Sequence, residues 1–485
     1  MTSYAGLQQS AHERSLDSSA KRQFSTSMES RLSPIVVLYL FCVVIPIGFN
    51  LGPLYLTSLR LILILLIIPL AIRLLMGHFG RVYVFDVLFF LHVLWMGLAL
   101  WVNSPEQMVT QIGSVGAEFL GGYLVGRAYV RDRGSFLSLC RALVLIVLCC
   151  LPFALYESRT GRPLIVEFLG RLPGSSTVPI VTIEGRMGLE RVQGSFAHPI
   201  HFGLFCSVAF SLCFVALQGT YSITRRLVTS LLIMLSGFLA LSSGALLAMA
   251  LQVALIAWSI VFGRLQWRWW LLVGLFVIAY VVVDILSNRT PIRVFMSYAT
   301  FSAHNAYWRG IIFEWGLKNV FGSPAEAIPP AMWFGIGMAD WVRPWFMHSG
   351  SMDNFWLVVT VRYGVPGFVL LVLGYVIAIS RVMRRDFSSD RQISNIRRAW
   401  VFTFLGLTFT LCTVHVWTNI ASFVFFMFGA GIWLIAEQVS QAIFPSTQKN
   451  RYDAQQAGPN EPKQEEKRHG RAPHTRFPTN NAITR

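Results

Sequence analysis

Charged residues are scarce in this chain of 485 residues. Asp, Glu, Lys and Arg make up 13% of it and apolar residues 54%, whereas about a quarter of a soluble protein is charged. This composition excludes an ordinary soluble protein, because so much apolar surface must meet lipid. The net charge of +17 lies in short basic clusters between apolar runs. A nucleic-acid-binding protein would carry it on a continuous face, so we interpret these clusters as cytoplasmic arginines that set membrane topology.

Several chemical motifs are also missing. The seven cysteines lie in apolar runs without a CxxC or Cys/His spacing, so no disulfide framework or structural metal is predicted. No P-loop or GxGxxG follows a strand pattern, which argues against a nucleotide-driven pump. The histidines show no metal-ligand spacing such as HExxH, so we expect no zinc site and no cofactor. The histidines considered are His198, His201, His304 and His348.

Both ends of the chain are polar. Residues 1–33 are rich in Ser and Gln, and residues 441–485 in Pro, Gln, Asn, Lys and Glu. Neither segment can bury enough apolar surface to offset its ordering entropy, so both are predicted to be disordered cytoplasmic tails. The first apolar run lacks a small-residue cleavage site and is predicted to stay as an anchor. Residues 34–440 are the predicted transmembrane domain.

Between the tails, the chain is a succession of apolar segments. Each is close to the roughly 20 residues needed to span a bilayer. The stretch 227–262 is too long for one crossing and is divided at the LSSG of residues 241–244. The sequence predicts an all-α, polytopic membrane protein with about twelve transmembrane helices. The predicted segments are 34–49, 53–76, 83–102, the glycine-rich 112–126, 136–156, 202–217, the two halves of 227–262, 269–286, 355–379, 400–417 and 421–439.

The arginines predict the topology. Loops after the even-numbered segments carry clusters of arginine, whereas the short loops after segments one, three and eleven carry no Lys or Arg. By the positive-inside rule both termini are then cytoplasmic, and two long loops, 157–201 and 287–354, lie outside. Arginines in these loops violate the local charge bias and call for a functional explanation. They are Arg159, Arg162, Arg171, Arg186, Arg191, Arg289, Arg293, Arg309 and Arg343.

Two loop arginines are the first candidates for binding a phosphate. A guanidinium offers a planar fork of donors that matches phosphate oxygens, and Arg191 and Arg309 each lie in or near an amphipathic segment. Arg343 is a further candidate. The alternative is loop structure, in which the arginines pair with acidic neighbours such as Glu190 or Glu314.

Arg60 is a candidate substrate-binding residue of another kind. It lies about two turns from the outer end of the second segment, and a charge inside a membrane is by default a functional candidate. Snorkelling to the interface is the alternative. Glu118, in the fourth segment, has similar standing.

Asp353 stands at the outer end of the tenth segment and is the first candidate for a catalytic base. A carboxylate there could accept a proton from a sugar hydroxyl, with Asn354 orienting it. A helix N-cap formed by Ser351 or Asp353 is the alternative. His348 is the second catalytic candidate. The aromatic residues of this loop could stack on sugars or form an interfacial belt, which we favour for most of them.

Three motifs carry a family resemblance. RVQGSFAHPIHFG, YWRGIIFEWGLKNVFGSPAEAIPPAMWFGIG and SMDNFWLVVTVRYGVPGF resemble, in this order, segments of the O-antigen ligase and polymerase superfamily. The resemblance covers roughly residues 191–435. It implies a metal-independent, inverting glycosyl transfer from an undecaprenyl-pyrophosphate-linked glycan. It also implies that Arg191 and Arg309 hold the donor pyrophosphate and stabilise the leaving group.

Two departures and one substitution qualify the resemblance. The family often has Ser-Arg-Gly where this chain reads LSSG, so a third arginine contact is absent from that position. The usual Asn-Pro-Asn is replaced by His198-Pro199-Ile200-His201. Asp353 stands where ligases usually carry His, which favours a polymerase.

The expected function is therefore polymerisation of lipid-linked oligosaccharide repeats for exopolysaccharide or O-antigen, in a bacterial inner membrane. One alternative is a ligase that transfers the finished glycan to lipid A core or to protein. Another is a transporter of the same lipid-linked sugar, although no internal repeat is evident. Expected partners are the lipid-linked glycan and the bilayer, with a chain-length regulator as a further candidate and no nucleic acid.

Overall fold

The computed structural model describes residues 31–51, 54–288, 294 and 303–437. Nearly all of both predicted tails lies outside the described residues, as do Arg289, Arg293 and Tyr298. The α-helices, in chain order, are α1 Pro34–Val44, α2 Ser58–Leu75, α3 Val84–Asn103, α4 Pro105–Gln111, α5 Gly122–Tyr129, α6 Arg133–Thr160, α7 Leu164–Gly170, α8 Pro199–Ser211, α9 Ile223–Leu239, α10 Ser243–Val261, α11 Arg268–Leu286, α12 Ala303–Phe321, α13 Phe355–Met383, α14 Arg391–Leu411, α15 Thr418–Gly429 and α16 Trp433–Ala436.

Eight helices of the described chain are long and apolar enough to cross a membrane. The protein is therefore a mainly helical multi-pass membrane protein, as its composition predicts. The remaining predicted segments coincide with shorter or more polar helices, such as α1 with 11 residues and α9 with 17. The eight are Ser58–Leu75, Val84–Asn103, Arg133–Thr160, Pro199–Ala216, Ser243–Val261, Arg268–Leu286, Phe355–Met383 and Thr418–Ala436.

The prediction that the second helix starts at residue 53 is wrong. Residues 53–76 were expected to be one helix, but a short antiparallel hairpin of β1, Gly48–Leu51, and β2, Leu54–Thr57, comes first. The helix α2 begins only at Ser58, where the Thr57 hydroxyl accepts a hydrogen bond of 3.2 Å from the Arg60 amide. A side-chain cap of this kind stabilises a helix start at that residue.

A glycine-rich segment allows two helices to touch through their backbones. A 10-residue π-helix, Ile112–Gly121, leads into α5, which packs on α15. A Cβ atom on Gly126 would lie 2.1 Å from the Phe426 carbonyl oxygen, and one on Gly429 would lie 2.2 Å from that of Tyr123. Only glycine fits at such a contact, so these residues allow the two helices to approach closely.

The long helix α13 is interrupted at Gly364. This residue has φ 74°, and Val365 donates its amide to the Met332 carbonyl at 2.8 Å. The amides of Ile336 and Gly337 in turn bond to the carbonyls of Val361 and Arg362, at 2.9 and 3.1 Å. Residues 355–363 are therefore fastened to the second loop by main-chain hydrogen bonds.

Four helices begin at the same cavity, and their first residues position the site. His198 and Ser242 cap α8 and α10 with their side chains, Asn354 caps α13, and Trp417 precedes α15. The N-terminus of a helix carries a partial positive charge and free amides. Four such termini around one cavity make the local potential favourable for an anion.

Candidate functional site

A cavity of about 350 Å³ is lined by residues of both long loops, 157–201 and 287–354. It brings together three arginines, Arg186, Arg191 and Arg309, with a single carboxylate, that of Asp353. Three of these four residues are sequence-predicted site residues. The lining is completed by His198, Ile200, Ser242, Ser243, Trp308, Ile312, Ser351, His415 and Trp417.

The segment that carries Arg191 is held by a buried carboxylate. Glu157, in the last turn of α6, accepts hydrogen bonds from the amides of Gln193 and Gly194, at 2.7 and 3.1 Å. The Val192 amide bonds to the Leu239 carbonyl at 3.1 Å. These hydrogen bonds fix the backbone next to Arg191, so its side chain projects from a rigid segment.

Arg191 lines the cavity with one of its N–H groups unbonded within the described part of the chain. Its Nε atom is buried and makes no hydrogen bond with any described residue. Burial lowers the pKa of Arg191 to about 10, and the nearby Arg186 contributes in the same direction. The Nε–H group is thus buried without an acceptor among the described residues, which is costly unless a ligand supplies one.

Arg309, in α12, is in the same condition. Its Nη1 atom is buried without a hydrogen bond to the described chain. Burial lowers the pKa of Arg309, Asp353 opposes that shift and Arg186 adds to it. Two other loop arginines form ion pairs. Arg162 Nη2 lies 2.6 Å from Glu167 Oε2, and Arg343 Nη1 lies 2.7 Å from Asp340 Oδ2. The alternative of simple loop pairing therefore applies to those arginines in the described structure.

Arg186 is a site residue that the sequence did not single out from the other loop arginines. It lies in the same loop as Arg191, and its Nη1 donates a hydrogen bond of 2.9 Å to the Leu241 carbonyl. Leu241 lies in the LSSG turn between α9 and α10. The only sequence signal for Arg186 was its charge in a loop where the topology disfavours arginine.

Asp353 and Asn354 have different local roles. Asn354 caps α13 by accepting from the Leu357 amide at 3.0 Å, so the cap is formed by neither Ser351 nor Asp353. Ser351 instead donates its hydroxyl to Asp353 Oδ1 at 2.9 Å. The cap fixes the start of the helix, and the preceding carboxylate is thereby left at the cavity.

Other predicted site residues lie outside the cavity. His348 is exposed, and the Arg343 guanidinium bonds to Asp340 and to the Met347 carbonyl. Arg60 Nε lies 2.7 Å from Glu118 Oε1, so the two intramembrane charges form one ion pair. Among the aromatic residues of the second loop, Trp308 lines the cavity, whereas Tyr307, Trp333 and Trp345 are exposed and Trp341 is buried elsewhere.

An aromatic and histidine wall closes one side of the cavity. The ring centroids of His201 and Trp417 are 4.0 Å apart, and those of His198 and Trp417 are 5.8 Å apart. His415 stacks on Trp417 at 5.7 Å. The eleventh predicted segment, 400–417, was expected to be helical throughout, but α14 ends at Leu411. That early end frees residues 412–417 to form this wall.

A second, mainly apolar cavity of about 110 Å³ adjoins the first. Both cavities share His415 and Trp417 in their linings. The π-helix contributes Val115 and Glu118, and α13 contributes Arg362. A polar cavity and an apolar cavity that meet at one wall suit an amphiphilic ligand.

Within the described residues, no group of three or more His, Cys, Asp or Glu side chains is arranged to hold a metal ion. The sequence matches no protein-family model and no curated protein sequence.

Proposed function

We propose that the protein is a polysaccharide polymerase that joins oligosaccharide repeats carried on undecaprenyl pyrophosphate. The observation that carries this proposal is the convergence of three arginines and one carboxylate on one cavity, with buried N–H groups of Arg191 and Arg309 unbonded to the described chain. Guanidinium N–H groups that the described chain leaves unbonded suit a doubly charged pyrophosphate. The motifs resembling the O-antigen ligase and polymerase superfamily support the same substrate class.

The arginines would act on the leaving group. As the bond from the anomeric carbon to the pyrophosphate oxygen breaks, its electron pair and negative charge move to the pyrophosphate. Three cations and four helix N-termini that surround this oxygen stabilise the growing charge more than the charge of the bound substrate. The rate gain then comes from preorganised electrostatics and needs no metal.

Asp353 would act on the attacking group. A hydroxyl at the non-reducing end of one repeat attacks the anomeric carbon from the face opposite the pyrophosphate, which inverts that centre. Asp353 accepts the hydroxyl proton as the new C–O bond forms. The Ser351 hydrogen bond leaves one carboxylate oxygen, Oδ2, for this contact.

The second cavity supports a lipid-linked substrate. Its apolar lining would accommodate the isoprene units that adjoin the pyrophosphate, because the two cavities meet at His415 and Trp417. The remaining isoprenoid chain would lie in the bilayer against the exposed apolar helices. A membrane-bound enzyme is suited to such a substrate.

The proposed setting is a bacterial inner membrane. About twelve crossings would put both termini in the cytoplasm and the two loops on the periplasmic side, as the arginine distribution indicates. The directions of α8, α10, α13 and α15 fit this topology. All four helices begin at the cavity and would run from the periplasmic side toward the cytoplasm. A chain-length regulator remains a candidate partner.

The test is reconstitution of the purified protein with undecaprenyl-pyrophosphate oligosaccharide in liposomes. Wild type should give a ladder of products, whereas Arg309→Ala and Asp353→Asn should give none. Arg343→Ala is the matched control, because that arginine lies in the same loop outside the cavity and should leave the ladder intact. Transfer only to an added acceptor, without a ladder, would indicate the ligase. Movement of labelled lipid across the bilayer without transfer would indicate the transporter.

A further inference from the structure

His198 is a cavity residue for which the resemblance supplies no role. It occupies the N-cap position of α8, in extended backbone conformation with φ −159° and ψ 148°. The next residue, Pro199, has no amide hydrogen, so the first free amide of the helix belongs to Ile200. His198 Nδ1 accepts a hydrogen bond of 3.1 Å from that amide.

This cap determines which ring nitrogen carries the proton. A nitrogen that accepts from an N–H must keep its lone pair, so in the neutral ring the proton is on Nε2. In the imidazolium both nitrogens are donors, and Nδ1–H would face the Ile200 amide with no acceptor between them. The helix cap therefore selects the neutral ring with Nε2–H and disfavours protonation.

The surroundings act in the same direction. Arg191 faces His198 from the preceding segment, Asp353 from the start of α13, and His201, His415 and Trp417 from α8 and the wall. Burial, together with Arg191, lowers the pKa of His198 to about 4, and Asp353 opposes this shift. A neutral donor also adds a hydrogen bond without adding repulsion among the three arginines.

We propose that His198 binds a non-bridging oxygen of the donor pyrophosphate through Nε2–H, as a neutral hydrogen-bond donor, and that it is not a proton acceptor in the reaction. This inference rests on the proposed function, since it assigns one more contact to the same substrate. It separates His198 from Asp353: the histidine binds the leaving group, and the carboxylate takes the proton.

The first test needs no ligand. Full-length protein labelled with ¹⁵N-histidine in lipid bilayers is examined by solid-state NMR at pH 7.5, and His198→Asn identifies the signal by its loss. We expect a neutral ring protonated at Nε2. A ring protonated at Nδ1, or an imidazolium, overturns the proposal.

The second test measures the dissociation constant for undecaprenyl pyrophosphate in nanodiscs. Asn keeps both a capping oxygen and a donor N–H, whereas Asp keeps the cap and lacks the donor, and Ala lacks both. We expect His198→Asn to bind within about threefold of wild type. His198→Asp and His198→Ala should bind about tenfold or more weakly, because a hydrogen bond to a charged group is lost. Unchanged binding by His198→Ala overturns the proposal.

Acidification separates a neutral donor from a cationic one. Wild type and His198→Asn should show the same pH dependence of binding from pH 5.5 to 8. Tighter wild-type binding at low pH that is lost in His198→Asn means that the residue binds as imidazolium, which contradicts the proposal.

Arg309→Ala distinguishes this inference from the proposed function. If wild type binds and Arg309→Ala does not, an unaffected His198→Ala removes only the role of His198. If wild type fails to bind undecaprenyl pyrophosphate at all, the proposed function and the His198 contact are both overturned.

Discussion

Arg186 donates a hydrogen bond of 2.9 Å from Nη1 to the main-chain carbonyl oxygen of Leu241. Leu241 has φ 45° and lies in the turn between α9 and α10. One arginine thus fastens the first loop to this turn and also lines the cavity. The LSSG turn contains no arginine, and Arg186 of the first loop brings a guanidinium group to it.

Arg186→Ala is expected to raise the KM for the lipid-linked donor by about tenfold to a hundredfold, because a charge-assisted contact contributes about 1.5–3 kcal/mol. Arg186→Lys should give an intermediate value, since an ammonium cannot both bond Leu241 and present a planar fork. Initial rates in liposomes provide the measurement. Arg162→Ala is the matched control, because Arg162 is paired with Glu167 on the same loop. Equal KM values for the Arg186→Ala variant and wild type would contradict this role.

Asp353→Asn is expected to lower kcat by about a hundredfold or more, the usual contribution of a general base. His348→Ala should remain within about twofold of wild type, because His348 is exposed and does not line the cavity. Single-turnover rates at saturating donor separate this effect from binding. If His348→Ala were slower than Asp353→Asn, His348 rather than Asp353 would be the general base.

The folded protein should lose stability between about pH 6.5 and pH 4. Burial lowers the pKa of both His198 and His415 to about 4, from an unfolded value of about 6.5. In this window the unfolded chain binds protons that the folded chain does not, so unfolding becomes easier as pH falls, by at most about 1.4 kcal/mol per pH unit for each histidine. The Tm measured in detergent across this range should fall less steeply in His198→Asn and in His415→Asn. Parallel curves for all three proteins would show that these histidines are not the cause.

Glu157→Gln is expected to loosen the segment that carries Arg191. The carboxylate accepts from two backbone amides, and hydrogen bonds to a charged group contribute about 1.5–3 kcal/mol each, so part of that energy is lost. Limited proteolysis between residues 171 and 190 should become faster and the Tm should fall. Glu167→Gln, which breaks an exposed ion pair with Arg162, is the control and should change both readouts little. An unchanged cleavage rate in Glu157→Gln would argue that the backbone bonds of the segment to Ser158 and Leu239 are sufficient to hold it.

Val115→Trp tests the second cavity. Val115 lines that cavity and is 38% exposed, so a larger side chain can enter it without disrupting a packed core. The variant should weaken binding of undecaprenyl pyrophosphate while leaving the affinity for inorganic pyrophosphate unchanged. Competition binding with the two compounds measures this difference. Equal weakening of both would place the effect in the first cavity instead.

The sequence predicts much of this arrangement because two of its signals are local. Apolar runs mark the helices directly, and the split of residues 227–262 at the LSSG turn is confirmed by α9 and α10. Arginines in loops that should lack them drew attention to Arg191 and Arg309. Both line the cavity together with Asp353.

Other features depend on tertiary contacts and have no local signal. The end of α14 at Leu411 falls inside a mainly apolar segment without proline or charge, so neither the break nor the position of His415 could be predicted. Arg186 is distinguished from Arg162 only by what lies across from it, namely Leu241 in one case and Glu167 in the other. The hairpin before α2 arises from four-residue strands, too short for a pattern of alternation.

The interruption at Gly364 divides α13 into two parts with different attachments. The part that follows Asp353 accepts main-chain hydrogen bonds from Ile336 and Gly337, whereas the part after Gly364 bonds to Met332 through its first residue, Val365, and continues as an apolar helix. We therefore expect the spacing between Asp353 and the arginines to depend on these loop contacts more than on the thickness of the bilayer. Stretching or thinning the membrane would tilt the lower part of the helix and leave the geometry of the polar site intact.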